Sequence, residues 1–130
     1  MAWLRESPRK PRQQAVRAGR RAELIATALL RLKGYRILAR DYRAGVRELD
    51  IVARRGRLLA VVEVKRRHHL LSALEAVTDR QQRRIVRATE AFVARHAGMD
   101  ELDIRFDVIV VQPHRPPTHI MDAWRPRGDR

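Results

Sequence analysis

Apolar residues recur with a helical period in the first third of the chain, and this pattern predicts a long amphipathic helix. From about Arg17 to Lys33 they are spaced three or four residues apart, so that one stripe of the helix is apolar. The stripe consists of Ala22, Ile25, Ala26, Leu29 and Leu30. Gly34 follows at once, as is typical of a residue that ends a helix.

Three runs rich in apolar and β-branched residues come next and predict strands at about 35–43, 47–54 and 58–66. The segment Arg55-Gly56-Arg57 is short enough to be the turn of a hairpin between the second and third strands. Those two strands are therefore predicted to be antiparallel.

The second half of the chain predicts a helix between two further strands. The helix covers about Asp79 to His96, with apolar residues on one side, arginines on the other and capping candidates at 77–79. A fourth strand is predicted at about 104–111, before a proline-rich turn, and a short last strand near 119–121. Because the helix between them allows a parallel pairing of the third and fourth strands, the predicted fold class is α/β, with a mixed central β-sheet flanked by helices.

Composition indicates a single, strongly basic domain. Among 130 residues, 29 are Lys or Arg and 15 are Asp or Glu, which gives a formal net charge of +14. Such a charge favours a nucleic-acid partner through counterion release from phosphates, although the excess of arginine over lysine is also what codon bias alone would give. We expect a basic, flexible arm at 1–14, one domain at 15–125 and a tail at 126–130.

Cysteine is absent, which excludes a disulfide framework and a thiolate metal site. No apolar run is long enough to span a bilayer, and no signal-peptide pattern follows the basic start. A soluble, cytoplasmic protein with no membrane partner is therefore expected. The five histidines lack zinc-site spacing and are expected at the surface or in loops.

Chemistry is expected on the third predicted strand, where Glu63 and Lys65 interrupt an apolar run. Strand side chains alternate between the two faces, so these two point to the same side, roughly 6–7 Å apart along the strand. Asp50 lies one hairpin upstream. Charged groups on a buried strand are costly unless they are paired, bind a metal or serve a function.

Two carboxylates and a lysine suit a divalent-metal site for phosphodiester chemistry. Asp50, Glu63 and the backbone carbonyl of Val64 would bind Mg²⁺ or Mn²⁺, since hard cations prefer oxygen ligands. Lys65 would orient the attacking water or stabilise developing negative charge. Glu23 would be a third acid at the site, as a water-mediated ligand or a proton-transfer partner. Spacing alone leaves open a structural alternative, in which Glu63 and Lys65 pair with each other on an exposed sheet face and Asp50 pairs with an arginine.

Five short motifs occur in order between about Gly19 and Trp124. They are Gly19-x-x-Ala22-Glu23, Glu48-Leu49-Asp50-Ile51-Val52, Val62-Glu63-Val64-Lys65-x-Arg67, Ala76-Val77-Thr78 leading to Gln82, and Arg105-Phe106-Asp107-Val108. Together they resemble the YraN family, a bacterial family assigned to the restriction-endonuclease-like, or PD-(D/E)xK, nuclease superfamily. The resemblance implies a restriction-endonuclease-like mixed sheet flanked by helices, similar to that of archaeal Holliday-junction resolvases.

The resemblance also implies roles for individual residues. The family's two metal-binding acids, catalytic lysine, first-helix acid and motif glutamine correspond in turn to Asp50 and Glu63, Lys65, Glu23, and Gln82. Two positions depart from the family pattern. Arg47 stands where glycine usually precedes the Glu-hydrophobic-Asp motif, and Gln81-Gln82 stands where a Lys-Gln pair usually opens the second helix. Neither departure abolishes the predicted metal site.

Seven arginines near these motifs are expected to contact a nucleic-acid backbone, of DNA more than of RNA. They are Arg47, Arg66, Arg67, Arg80, Arg83, Arg84 and Arg87. The last four have the spacing of one helical face, which a solvated outer surface would equally explain. Asp107 is expected to hold a neighbouring strand or loop through hydrogen bonds rather than to bind metal.

Two functions remain open from the sequence. The first is an endonuclease that hydrolyses phosphodiester bonds in DNA with Mg²⁺ or Mn²⁺, with branched or structured DNA favoured by analogy with the superfamily. The second is a non-catalytic nucleic-acid-binding protein on a nuclease-like scaffold, associated with RNA or the ribosome. A homodimer is an attractive prediction for the first function, because an enzyme that cuts junctions symmetrically needs two active sites.

Overall fold

The computed structural model describes residues 10–45 and 47–127, and it describes side chains from Gly19 onward except that of Arg47. The elements in chain order are α1 (Lys10–Leu32), β1 (Arg36–Ala44), β2 (Arg47–Arg55), β3 (Leu58–Arg66), α2 (Leu70–Glu75), α3 (Asp79–Arg95), a short 3₁₀ helix (Met99–Glu101), β4 (Asp103–Val111) and β5 (Thr118–Trp124). The five strands form one sheet in the order β1-β2-β3-β4-β5.

The sheet is mixed, because only one pair of neighbouring strands is parallel. β1, β2 and β3 form an antiparallel meander, and β4 and β5 are also antiparallel. β3 and β4 pair in parallel from Leu58 opposite Asp103 to Arg66 opposite Val111, since α3 carries the chain back across the sheet. The predicted mixed sheet flanked by helices is confirmed, and it is consistent with a nuclease-like scaffold.

Helices cover both faces of the sheet and bury its central strand. On one face α1 packs its apolar stripe, with Ala26 and Leu30 completely buried. On the other face α3 contributes Ile85, Ala88 and Phe92. Each fully buried large apolar side chain contributes about 1.5–3 kcal/mol, so the two layers together fix β3 inside the domain. A charged side chain on β3 is therefore placed in a covered environment.

Several element boundaries differ from the sequence prediction. α1 begins at Lys10 rather than near Arg17. Pro11 lies in its first turn, where proline breaks no hydrogen bond because backbone N–H groups there have no acceptor within the helix. α2 was not predicted, because six residues are too few to show a helical period. Residues 1–9 and 128–130 lie outside the described residues, so the division into arm, domain and tail stays a prediction. Within 10–45 and 47–127, no helix is both long and apolar enough to cross a membrane.

A buried charged network ties the end of α1 to β4 and β5. Both carboxylate oxygens of Asp107 accept hydrogen bonds from Arg105, at 2.8 and 2.7 Å. His119 Nε2 donates to Asp107 at 2.8 Å, and Lys33 Nζ at the end of α1 donates to His119 Nδ1 at 2.6 Å. The backbone N–H of Asp122 donates to Asp107 as well, at 2.9 Å. Burial alone would raise the pKa of Asp107, but the bonds from His119 and Arg105 lower it to about 2.

This network confirms one prediction from the sequence and contradicts another. Asp107 does hold a neighbouring strand through hydrogen bonds, as predicted. The prediction that the histidines lie at the surface or in loops is wrong for His119, which lies in β5 with its side chain almost completely buried. Its two ring nitrogens have partners on opposite sides, and these contacts make burial of the ring favourable.

Candidate metal centre

Asp50 lies where β2 separates from β3. The paired part of the two strands ends at Ile51 opposite Val62, and the Asp50 carboxylate then accepts the backbone N–H of Val64 at 2.9 Å. The side chain thus replaces the strand carbonyl that would otherwise pair there, and it holds the end of β3 in place. Burial raises the pKa of Asp50 above its usual value, although the bond from Val64 and the charge of Lys65 oppose this effect.

Glu63 is the most deeply buried acid of the predicted set. Only 4% of its surface is exposed, and burial followed by the neighbouring Asp50 carboxylate raises its pKa to about 8. Its Oε1 accepts a hydrogen bond from Gln81 Nε2 at 3.3 Å. Its Oε2 is buried and has no hydrogen-bond partner among the described residues. A buried carboxylate oxygen without a partner is costly, so a cationic ligand would be favourable at this position.

Lys65 follows on the same side of β3 and reaches the first turn of α3. Its Nζ donates to Gln81 Oε1 at 3.2 Å. The resemblance gave the role of motif glutamine to Gln82, whose amide donates to the carbonyl of Val77 at 3.1 Å. Gln81 is therefore the glutamine that joins the two charged side chains of β3.

The structural alternative of simple ion pairs does not describe these groups. Among the described residues, no salt bridge within 4.0 Å involves Asp50, Glu63 or Lys65. Glu63 lies in the interior rather than on an exposed sheet face, and Asp50 is bonded to backbone rather than to an arginine. The carboxylates are therefore left without a positive partner in direct contact.

A second pair of acids flanks Asp50 on the side of α1. Carboxylate oxygens of Glu23, Asp41 and Asp50 all lie within 4.8 Å of one another, an arrangement that could hold a metal ion. Burial, then the adjacent Asp41 and the charge of Asp50, raise the pKa of Glu23 to about 7. Glu23 is thus brought to the site as predicted, and Asp41 is an additional acid that the sequence did not indicate.

The backbone explains how Asp41 reaches the group. It lies in β1 between Arg40, which pairs with Ile51, and Tyr42, which pairs with Leu49, and so it is level with Asp50 on the next strand. Its φ angle is 52°, a left-handed conformation that aspartate and asparagine adopt more readily than most residues. A strand-like sequence pattern does not predict a single residue with a left-handed backbone conformation.

The position of Gln81, by contrast, could have been predicted from helical spacing in the sequence. It precedes Ile85 by four residues and Ala88 by seven, so it lies on the apolar face that α3 turns to the sheet. Gln82 is one position further around the helix. Helical spacing alone would therefore have selected Gln81 as the residue closer to Glu63 and Lys65.

An open cleft of about 310 Å³ gives access to Glu23, Asp50 and Lys65. It is lined by Gly19, Ala22, Glu23, Asp50, Val64, Lys65, Arg66 and Arg67. Val64 supplies its N–H to Asp50, and the predicted role of its carbonyl stays a prediction. The exposed side chains of Arg66 and Arg67 place positive charge on the wall of the cleft next to the acids.

The other predicted arginines form a separate surface. Arg80, Arg83, Arg84 and Arg87 are all exposed on α3, as a solvated face or a phosphate track requires. The Arg47 side chain lies outside the described residues, so its contact with nucleic acid stays a prediction. The cleft and the exposed face of α3 are thus separate basic surfaces.

The donor set fits the divalent metal that a nuclease-like fold implies. Mg²⁺ and Mn²⁺ take carboxylate oxygens; the cleft offers Asp50 and Glu23, and Asp41 has a carboxylate oxygen within 4.8 Å of theirs. The unpartnered Oε2 of Glu63 provides an independent sign, because a cation would satisfy it. Burial is the main reason why the pKa values of Asp50 and Glu63 are raised, and nearby carboxylates add to it.

Comparison with known proteins identifies the family. The model of the uncharacterised protein family UPF0102 matches residues 22–111. The chain belongs to the UPF0102 family. The YraN resemblance of its motifs is thereby confirmed. The matched segment of this UPF0102 chain contains the acids of the candidate centre, Lys65 and the two glutamines.

Bacterial UPF0102 proteins match almost the whole chain. One from Parvibaculum lavamentivorans is 52% identical over 112 residues, which cover 86% of this chain and 84% of that protein. The UPF0102 protein mlr4633 of Mesorhizobium japonicum is 44% identical over 125 residues, covering 96% and 100%. The UPF0102 protein amb4503 of Paramagnetospirillum magneticum is 48% identical over 122 residues, covering 91% and 95%. This chain is therefore similar in extent to its UPF0102 relatives.

Proposed function

We propose that this UPF0102 protein is a metal-dependent endonuclease that hydrolyses phosphodiester bonds in DNA. The observation that carries the proposal is the buried carboxylate of Glu63, with one oxygen unpartnered, beside Asp50 and Lys65. Burial of the Glu63 carboxylate without a direct ion pair, beside the half-buried Asp50 and Lys65, is unfavourable for stability alone. A catalytic role accounts for the presence of these three groups in one place.

Each residue of the site has a different role in the proposed hydrolysis. Asp50 and Glu63 would hold Mg²⁺ or Mn²⁺, which when bound polarises the phosphate and lowers the pKa of a water molecule. Lys65 donates to an oxygen of the scissile phosphate and offsets the negative charge that develops there. The oxygen of water forms a bond to phosphorus as the bond to the leaving oxygen breaks, and the leaving oxygen acquires a proton. Glu23, with a pKa of about 7, takes up the proton released by the water, and solvent supplies the proton of the leaving oxygen.

Positive charge supports a nucleic-acid substrate. The net charge of +14 and the exposed Arg66 and Arg67 at the cleft favour binding to phosphates. Backbone contacts of this kind give affinity without sequence preference. DNA, and branched or structured DNA in particular, is proposed by analogy with the nuclease superfamily, as is a homodimer that would make paired incisions.

A non-catalytic nucleic-acid-binding protein is the second candidate. The exposed arginines of α3 favour it, because they form a basic face that needs no metal centre. RNA or the ribosome would be the natural partner of such a protein. Under this alternative the acidic group would be a remnant of the scaffold.

Cleavage of a panel of nucleic acids tests the proposal. End-labelled Holliday junctions, flaps, duplex DNA, single-stranded DNA and structured RNA are incubated with the protein in Mg²⁺, Mn²⁺ or chelator. The expected result is cleavage of at least one DNA substrate that requires the metal. Binding of these nucleic acids without any cleavage would support the second candidate instead.

Two variants separate this protein's activity from that of a contaminant. Glu63→Ala and Lys65→Ala should each abolish cleavage, because they remove a metal ligand and a cation at the phosphate. Arg57→Ala, in the turn at the opposite end of β3, serves as the matched control and should cut like the wild type. Equal cleavage by all four proteins would exclude the proposed site.

A further inference from the structure

Gln81 connects the two charged side chains of β3 through a single amide group. Its Nε2 donates to Glu63 Oε1 at 3.3 Å, and its Oε1 accepts from Lys65 Nζ at 3.2 Å. Its own backbone is held in the first turn of α3, because its N–H donates to the side chain of Thr78 at 3.2 Å. The amide is thus fixed at its backbone and at both ends of its side chain.

Only one orientation of this amide satisfies both neighbours. Carboxylate oxygens accept hydrogen bonds and an ammonium group only donates them. If the amide were turned over, its NH₂ group would face the ammonium group of Lys65, and two hydrogen-bond donors would meet. Lys65 therefore dictates the orientation of Gln81, and Gln81 in turn restricts Lys65 and Glu63.

The bridge makes the two oxygens of Glu63 unequal. Oε1 accepts a hydrogen bond from Gln81, whereas Oε2 is buried and has no partner in the described part of the chain. Rotation of the carboxyl group would break the bond to Gln81 and leave Oε1 in the same unpartnered condition. Oε2 is consequently the oxygen that remains available for a cation.

We infer that Gln81 is a positioning residue of the metal centre, which holds Glu63 Oε1 and Lys65 Nζ so that Glu63 Oε2 binds the divalent cation. The inference rests on the proposed function, because it assumes that Glu63 is a metal ligand. It assigns to Gln81 a role that the neighbouring Gln82 does not share, since the Gln82 side chain bonds to the Val77 carbonyl instead.

A purely structural role is the rival explanation, in which Gln81 only fastens α3 to β3. The two explanations differ in what removal of the amide changes. A fastening role predicts a loss of stability alone. A positioning role predicts a loss of metal affinity that exceeds the effect of removing a comparable structural hydrogen bond nearby.

Calorimetric titration with Mn²⁺ of the full chain, without nucleic acid, distinguishes them. Gln81→Met keeps the length of the side chain and removes both hydrogen bonds, and Gln82→Met is the matched control on the next residue. We expect Gln81→Met to weaken Mn²⁺ binding by about 10- to 100-fold, the usual effect of removing a partner of a metal ligand. Gln82→Met should change it by less than about threefold. Urea midpoints measured in chelator show whether the two variants are equally folded.

The outcomes are separable from those of the cleavage experiment. Equal Mn²⁺ affinity of Gln81→Met and wild type would overturn the inference and leave the endonuclease proposal standing. Failure of the wild type to bind Mn²⁺ at all would overturn both. If Gln81→Met does not fold, Gln81→Ala with Gln82→Ala replaces the pair, since alanine is the best helix former.

Discussion

Metal-free protein should lose stability as the pH rises through neutrality, and Glu63 should be the main reason. Burial and the neighbouring Asp50 raise the pKa of Glu63 from 4.5 to about 8. Between these two values Glu63 is protonated in the folded protein and ionised in the unfolded chain. The folded state therefore binds one proton more, and the free energy of unfolding falls with rising pH.

The size of the effect follows from the same two values. One proton changes the free energy of unfolding by at most about 1.4 kcal/mol per pH unit. Over the whole interval the penalty is on the order of 5 kcal/mol, and between pH 5.5 and 7.5 it is roughly 2–3 kcal/mol. Glu23, with a pKa near 7, adds to the fall in the same direction, but its greater exposure makes its share smaller.

Urea denaturation in chelator at several pH values measures this slope. Glu63→Gln carries no titrating proton, so its stability should fall less steeply than that of the wild type. Glu90→Gln, at an exposed position on α3, is the matched control and should keep the wild-type slope. Saturating Mn²⁺ should flatten the wild-type curve, because the cation takes the place of the proton.

Equal slopes for Glu63→Gln and the wild type between pH 5.5 and 7.5 would contradict this explanation. Such a result would mean that Glu63 is ionised at neutral pH in the folded protein. It would remove the electrostatic reason for expecting a cation at this carboxylate.

Three further predictions concern the metal, the buried network and the cleft. Mn²⁺ at one hundred times its Kd should stabilise the protein by about 2.7 kcal/mol in thermal unfolding, and Asp50→Asn should abolish this gain. Asp107→Asn should cost about 2–4 kcal/mol in urea denaturation at pH 7, because Arg105 and His119 lose their partner. Since the pKa of Asp107 is lowered to about 2, its contribution is complete above about pH 4 and disappears as the pH falls through 2, where variant and wild type should converge. Replacing Arg66 and Arg67 by glutamine should lower the slope of log Kd for DNA against log salt concentration by about one for each phosphate that is no longer neutralised. Arg57→Gln is the control and should leave the slope unchanged. An unaltered slope in the Arg66 and Arg67 variant would mean that the cleft is not part of the DNA-binding surface.

The sequence predicted the elements that have a clear period. α3 is the best example, because its apolar residues repeat regularly and Thr78 caps its start, where its side chain accepts the N–H of Gln81. The β2–β3 hairpin also followed from pattern, with Gly56 in the turn at a φ of 63°. The start of α1 was missed because residues 10–16 have no apolar stripe to show a helix.

Spacing in the sequence can relate residues on one regular element, but not residues that tertiary contacts bring together. Alternation along β3 puts Glu63 and Lys65 on one side of the strand, where both bond to Gln81, and their roles stay predictions. Asp41 joins the group only because a left-handed backbone residue in β1 is level with Asp50. His119 can be buried because its ring nitrogens form hydrogen bonds with Asp107 and Lys33, and neither residue is close to it in sequence.

Single-turnover cleavage with and without Lys65 is the sharpest test of the proposed catalytic site. Wild type and Lys65→Met are compared with saturating Mn²⁺ on the best substrate of the panel, and DNA affinity is measured for both. We expect Lys65→Met to lower the rate of the chemical step by about 10²–10³-fold while changing the Kd for DNA by less than about threefold. Equal rates for the two proteins, or no metal-dependent cleavage by the wild type on any substrate, would contradict the assignment of this site as a nuclease centre.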